Sequence, residues 1–418
     1  MLGTFLHAQP CVATDVVHFW EAYDKITATP DTVQQLALLQ QYYLAKATPG
    51  LVALQEARNY TPTEYLHAIN DYPEFWRSVR SNTTAVQASY PAIEAALDRL
   101  RQLYPALRPV PIYFAVGVFR TNGTATKDMV MIGSELALAD DATVITELPA
   151  WRQPFFREYE PLKNIALLCT HEYVHTQQNE LVENLLSMCL YEGIAEFVSC
   201  TATGMPSNSP AIAIGKARQE EVVRQFVKDL FLMSNNYDWM WGENRNALKT
   251  RDLGYYIGYE IAERHYQAAK DPQRAIRELI ELDFHDEAAV ERLVDGTRLL
   301  PAPLRKLNRA YEKQRPTVVS MDPFRNGAKG ISPGRVQITL TFSEPLNGYN
   351  TGLDFGPLGE EHCPRISPNR TWSADNKNWT FEVDLEPKRR YQLLISNNFR
   401  LESGVRLKPY LIEFTTGS

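Results

Sequence analysis

Two histidines, His171 and His175, stand four residues apart in the run NIALLCTHEYVHTQQ at 164–178. On a helix, four residues advance a little more than one turn, so both imidazoles face one side and can bind one metal ion. Glu172 lies one step round from the first histidine, beside the metal, where its carboxylate can take a proton from metal-bound water. This is the H-E-x-x-H arrangement. A catalytic zinc usually has three protein ligands and keeps a fourth position for water, so a third donor is required. The run YEGIAEF at 191–197 offers Glu192, with sixteen residues between it and His175, enough for one helix to end and another to return. Glu196, one turn further on, is placed to accept a hydrogen bond from the outer ring nitrogen of a histidine ligand. The plainer alternative is a polar stripe on two ordinary helices. It fits poorly, because ionised carboxylates among Leu185, Leu186, Leu190, Ile194, Phe197 and Val198 need a partner.

These residues need helices to hold them. An apolar run with Pro161 in its first turn predicts a helix through His175, with Ile165, Leu168 and Cys169 on its apolar side; a second apolar pattern spans 185–200 and is closed by Gly204. Upstream, residues 15–105 read as helices. Phe19, Trp20, Tyr23 and Ile26 recur at helical spacing, Thr29-Pro30-Asp31 caps a following helix, and a further amphipathic stretch runs from Ala92. The period then changes, predicting a strand at 111–119, a turn at 121–124 and a strand at 128–133. This pair is either a simple hairpin or a sheet with an edge open to an extended peptide, and Gly133 allows another backbone to approach. Downstream, a long amphipathic helix is expected over 211–233, an aromatic loop over 235–246, and helices near 272–296. Gly254, Gly258 and Ala262 repeat every four residues and give a smooth face for close helix packing. Residues 301–316 read as a linker. Beyond it, stretches at 318–323, 336–343, 379–385, 391–395 and 411–416 alternate as strands.

The pair HEYVH and YEGIAEF resembles the gluzincin metallopeptidases, in which an H-E-x-x-H helix is followed by a helix bearing a glutamate ligand. This chain has Tyr191 where many of those enzymes have asparagine. The runs at 15–24, 112–117, 131–135 and 254–259 are similar to a bacterial family of zinc-dependent proteases known from sequence, over about residues 15–300. The resemblance implies Zn2+ held by His171, His175 and Glu192, with Glu172 as general base. It also implies a downstream Tyr or His that faces the developing oxyanion. Tyr255, with Arg251 one turn before it, is the candidate; Tyr256 and Tyr259 are rivals, and all three tyrosines can equally be packing residues. The segment 317–417, with FSEP at 342–345 and FTT at 414–416, resembles bacterial Ig-like modules attached to exported proteins.

The expected architecture is therefore multidomain. A mainly α, zincin-like α+β domain with a small sheet covers 12–300 (helical part 12–105, strands 109–138, metal-site helices 161–203, helical part 211–300). An all-β Ig-like sandwich covers 317–418. A length of 418 with 44% apolar residues supports such cores. Net charge of -7 with interspersed signs gives no basic patch, which argues against nucleic acid as a partner. Five scattered cysteines form no disulfide framework, and Cys189 and Cys200 read as core residues. No apolar run reaches bilayer length. The start, Met1 to Gln9, reads either as the tail of a truncated signal peptide or as a plain disordered start. Export to the periplasm or cell surface is expected, with the cytoplasm as the alternative. The functional expectation is a zinc peptidase acting on peptide or protein substrates. The rival is a non-catalytic exported binding or surface protein with a structural or vestigial metal site. Oligomeric state is left open.

Overall fold

The opening helices start where the sequence supplies caps. Asp31 accepts from the amides of Val33 and Gln34 at the head of Thr32–Tyr42, Thr48 caps Pro49–Arg58, and Thr61 and Glu64 form a reciprocal capping box before Pro62–Asp71. With Thr14–Ile26, Pro73–Thr84 and Tyr90–Leu103 they surround a core in which Phe19, Trp20, Trp76 and Phe119 pack ring against ring. The computed structural model describes residues 11–232, 236–242 and 248–418. The chain is a mixture of helix and sheet, 48% and 16%, with several small sheets. It divides into one unit of the chain up to Phe226 with Asn236–Pro301, and another of Val227–Asn235 with Ala302–Ser418. The start at 1–9, together with Met233, Asn235 and 243–246 of the expected helix and loop, lies outside the described residues.

The first unit has a four-stranded sheet in the order β1-β2-β4-β3, where β1 is Cys11–Val12, β2 Ile112–Ala115, β3 Gly123–Ala125 and β4 Val130–Gly133. β1, β2 and β4 are parallel, and β3 runs antiparallel to β4 at the edge. The parallel pairing of β2 with β4 rules out a simple hairpin. β2 is also shorter than the expected 111–119, because the amides of Gly117 and Phe119 turn inward to the fully buried Glu135 carboxylate at 2.9 and 3.0 Å. Part of the expected turn at 121–124 becomes the edge strand instead. The backbone that approaches Gly133 is the chain's own: a Cβ there would overlap the carbonyl of Thr121.

Two helices of this unit meet backbone to backbone. Leu185–Thr203 is capped at its head by Asn184, which accepts from Ser187 N, and ended by Gly204 in the left-handed region, φ 72°. It packs against Leu253–Ala268. A Cβ on Gly258 would overlap the carbonyl of Cys189, and one on Gly193 would overlap the backbone of Gly258 and Tyr259. Leu185–Thr203 is also long and apolar enough to cross a bilayer, unlike the reading by runs, but most of its length is buried inside the unit.

The expected helix over 211–233 is instead two, Pro210–Ala217 and Gln219–Asp229. The backbone breaks at Arg218, φ -121° and ψ 28°, whose guanidinium spans Glu221 and the carbonyl of Leu248. Within the expected aromatic loop, Asn236–Met240 is helical, because Trp239 is fully buried against Phe226 at 5.3 Å. The expected linker carries the helix Leu304–Gln314.

In the second unit, β5 (Val318–Asp322), β6 (Gly334–Phe342), β9 (Asn378–Leu385) and β8 (Arg365–Trp372) form one antiparallel sheet in that order. β11 (Tyr410–Thr415), β10 (Arg390–Ile395) and β7 (Leu353–Phe355) form another. Alternate residues of both sheets, among them Ile338, Leu340, Phe381, Leu393 and Phe414, share one hydrophobic core. β7 and β8 were not legible in the sequence: their exposed residues do not alternate.

The glycine contact yields a stability test. Gly258→Ala should cost at least about 2 kcal/mol, since two helix backbones must separate to admit a methyl group. Gly296→Ala, in the helix Glu287–Thr297 with open space at its Cβ, should be neutral or gain up to about 1 kcal/mol. Urea unfolding of both variants measures the difference, and equal midpoints would contradict the packing described.

Candidate metal centre

The helix bearing the two histidines runs Ile165–His175 after a 3-10 turn at Leu162–Asn164. It is buried almost all round rather than on one side, and Thr170 satisfies its hydroxyl on the carbonyl of Ala166 at 2.7 Å. Its last turn presents His171 and His175 toward Glu192 of Leu185–Thr203. The two Nε2 atoms are 3.0 Å apart, and Glu192 Oε2 lies 3.4 Å from the first and 3.3 Å from the second. Among the described residues these three form the one group of His, Cys, Asp or Glu with converging ligand atoms.

The outer nitrogens are engaged. His171 Nδ1 is 3.0 Å from Glu196 Oε2, and His175 Nδ1 is 2.7 Å from Gln178 Oε1. A ring that donates from Nδ1 keeps a lone pair on Nε2, so both rings offer lone pairs to the same point. The orienting groups are themselves held. Ser207 donates to Glu196 Oε1, and the Gln178 amide donates to the carbonyl of Tyr191 at 2.9 Å. Tyr191 stacks its ring on His175 at 4.4 Å and 13°.

The donor set fits a divalent cation. Ligands ~2.0–2.1 Å from a tetrahedral ion lie ~3.3–3.4 Å from one another, close to the separations seen here. Electrostatics point the same way. Burial pushes the Glu192 carboxyl up, but the two imidazoles outweigh it and hold the group well below the usual carboxylate range. Burial disfavours the His171 imidazolium, yet Glu192 and Glu196 more than compensate and hold its pKa well above the ordinary value. The pocket therefore favours positive charge at its centre.

Glu172 is buried beside the triangle. Burial raises its pKa, opposed by the positive fields of His175 and His171. Its carboxylate rests against the edge strand: a Cβ on Gly123 would stand 2.7 Å from Glu172 Oε1, so glycine there leaves the carboxylate its place. Of the three candidate tyrosines, Tyr255 reaches the cluster, its ring over His171 at 6.4 Å and 19° and its phenol pushed well above the ordinary range by burial and by the charge of Glu192. Tyr256 points instead to Gln219 Oε1 at 3.0 Å, and Tyr259 packs edge-on against Phe197. Arg251 turns away, donating to the carbonyl of Trp241 at 2.9 Å.

Sequence reasoning did not find Gln178, Ser207, Gly123 or Asp252. Gln178 follows His175 by three residues and was a readable signal; the others are brought in by the fold. Asp252 stands at the head of the tyrosine helix with left-handed backbone, φ 59°, and makes no side-chain cap bond. Burial pushes its pKa to about 6, with Arg251 opposing and Glu192 adding to the rise.

No family model and no curated protein matches the chain. Among solved structures it is similar to the S-layer protein rSbsC at 13% identity and a TM-score of 0.19, covering 78% of this chain and 45% of that one. That likeness is too slight to carry an argument about fold or function, and the chain spans less than half the length of that protein.

The raised pKa of Asp252 predicts a pH effect. A carboxyl whose folded pKa lies above its unfolded value gives stability that is present below about pH 4 and lost as pH rises through about 6. Asparagine mimics the protonated form and tolerates the left-handed backbone. In metal-free protein, Asp252→Asn should exceed wild type at pH 8 by up to about 3 kcal/mol and match it near pH 4. Urea unfolding at both pH values measures this, and a constant difference would contradict it.

Proposed function

We propose that the chain is a zinc-dependent peptidase, with a zincin-like first unit and an Ig-like second one. The observation that carries this is the convergence of His171 Nε2, His175 Nε2 and Glu192 Oε2 within 3.0–3.4 Å, with a buried glutamate beside them. His171, His175 and Glu192 would hold the ion. When bound, zinc supplies a Lewis acid that polarises a carbonyl and lowers the pKa of water. Glu172, raised by burial, takes the proton from the attacking water and passes it to the leaving amine. Tyr255 can donate a hydrogen bond to a developing oxyanion, since its ring lies over His171 and burial keeps its hydroxyl protonated. The edge strand β3, which runs past Glu172 at Gly123, is where an extended peptide would pair. The presence of a base beside the triangle favours catalysis over a purely structural metal, which has no use for one. Export remains part of the proposal through the Ig-like reading of the second unit.

Purified protein should carry about one zinc per chain. Glu192→Gln should abolish tight binding, and Glu196→Gln should weaken affinity or activity by about 10-fold to 100-fold. Glu172→Gln should keep the metal and lose hydrolysis of a mixed peptide library. Elemental analysis with a turnover assay checks all three. A metal-free wild type after zinc supplementation overturns the proposal. Loaded Glu192→Gln with empty Glu196→Gln reverses the two roles.

A further inference from the structure

The two imidazoles of the centre are held in different ways. His171 Nδ1 faces a carboxylate, Glu196 Oε2, at 3.0 Å, whereas His175 Nδ1 faces a neutral amide, Gln178 Oε1, at 2.7 Å. A hydrogen bond to a charged acceptor is roughly twice as strong as one between neutral groups, so His175 has the weaker tether. One hydrogen bond also fixes the edge of a ring better than its plane.

Tyr191 supplies both missing restraints. Its carbonyl can only accept, so the Gln178 Nε2 that donates to it at 2.9 Å turns Oε1 toward His175, and an Nδ1 that faces Oε1 carries the proton. His175 Nε2 is then left with its lone pair. The plane is fixed by the phenol ring, which lies on the imidazole at 4.4 Å with 13° between them; the ring of Tyr255 stands further from His171, at 6.4 Å. Tyr191 is supported in turn. Phe284, 4% exposed, packs against its ring at 6.1 Å. Asn179, just past the histidine helix, ties down that neighbouring segment by donating to the carbonyls of Glu281 and Leu282 at 3.0 and 3.2 Å. Tyr191 and Glu192 are consecutive on Leu185–Thr203, so the restraint on the second histidine and the third ligand move as one body.

We propose that Tyr191 is the positioning residue of His175: its carbonyl decides, through Gln178, which ring nitrogen faces the centre, and its ring holds the imidazole plane toward Glu192. It acts only through His175. The inference rests on the proposed metal centre, and its test separates the two.

Wild type, Tyr191→Phe and Tyr191→Leu, each as the full chain, are compared by zinc titration against a chelator, by 15N–1H spectra of the loaded histidines and by hydrolysis of a peptide library. Tyr191→Leu keeps the carbonyl but loses the flat ring, and should bind zinc about 10-fold more weakly. Tyr191→Phe should restore the affinity that leucine loses. Spectra of Tyr191→Leu should retain the Nδ1 proton on both rings and broaden the His175 signals, with those of His171 unchanged. Where Tyr191→Leu does not fold, Tyr191→Met replaces it, an adaptable side chain without a flat face. Equal affinity in Tyr191→Leu and wild type overturns the proposal and leaves the metal centre standing. Weaker binding with both histidines disturbed alike also overturns it, since that is the mark of general packing. The expected order of affinities without hydrolysis by any of the proteins supports the positioning role while the peptidase reading fails. A wild type that takes up no zinc overturns both.

Discussion

The contact between Gly193 and the Gly258 turn sets the rest of the centre. At that point Leu185–Thr203 and Leu253–Ala268 meet with backbone against backbone, and no side chain intervenes. Glu192 precedes one glycine and Tyr255 lies three residues before the other, so the close approach brings the carboxylate and the phenol together. The histidine helix Ile165–His175 then closes on the same face. Any larger residue at either glycine moves Glu192 away from the imidazoles, since a helix is too stiff to absorb the shift locally.

Charge explains why the cluster holds together once assembled. Glu172, Glu192 and Glu196 are all carboxylates in a largely buried setting beside two imidazoles. Such a collection is costly unless a cation or protons balance it. Glu196 and Gln178 decide where the ring protons sit, and Ser207 and the carbonyl of Tyr191 hold those two in turn. The orientation of two nitrogen lone pairs thus depends on residues that never reach the centre. Asp252 extends the negative field toward the side where Tyr255 stands.

The centre was legible in the sequence where it depends on helical spacing. His171, Glu172 and His175 follow from a four-residue interval, Glu192 from a second helix at a returnable distance, and the packing face from Gly254, Gly258 and Ala262. Features set by distant parts of the chain were not legible. Glu135 diverts the amides of Gly117 and Phe119 and so shortens β2, which no local pattern announces. Nor does any local pattern announce that Gly123 of β3 lies against Glu172. The break at Arg218 depends on partners at 221 and 248, and the helix at 236–240 on the burial of Trp239. In the second unit, β7 and β8 are exposed edge strands without alternation, so periodicity had nothing to read.

In the proposed centre, two imidazoles and one carboxylate oxygen surround a single zinc. Zinc K-edge X-ray absorption on the loaded protein reads that shell. Three to four nitrogen or oxygen neighbours at about 2.0–2.1 Å are expected, with the outer-shell scattering of two imidazoles. Sulfur neighbours at about 2.3 Å, or the pattern of a fully hydrated ion without imidazole scattering, would contradict it.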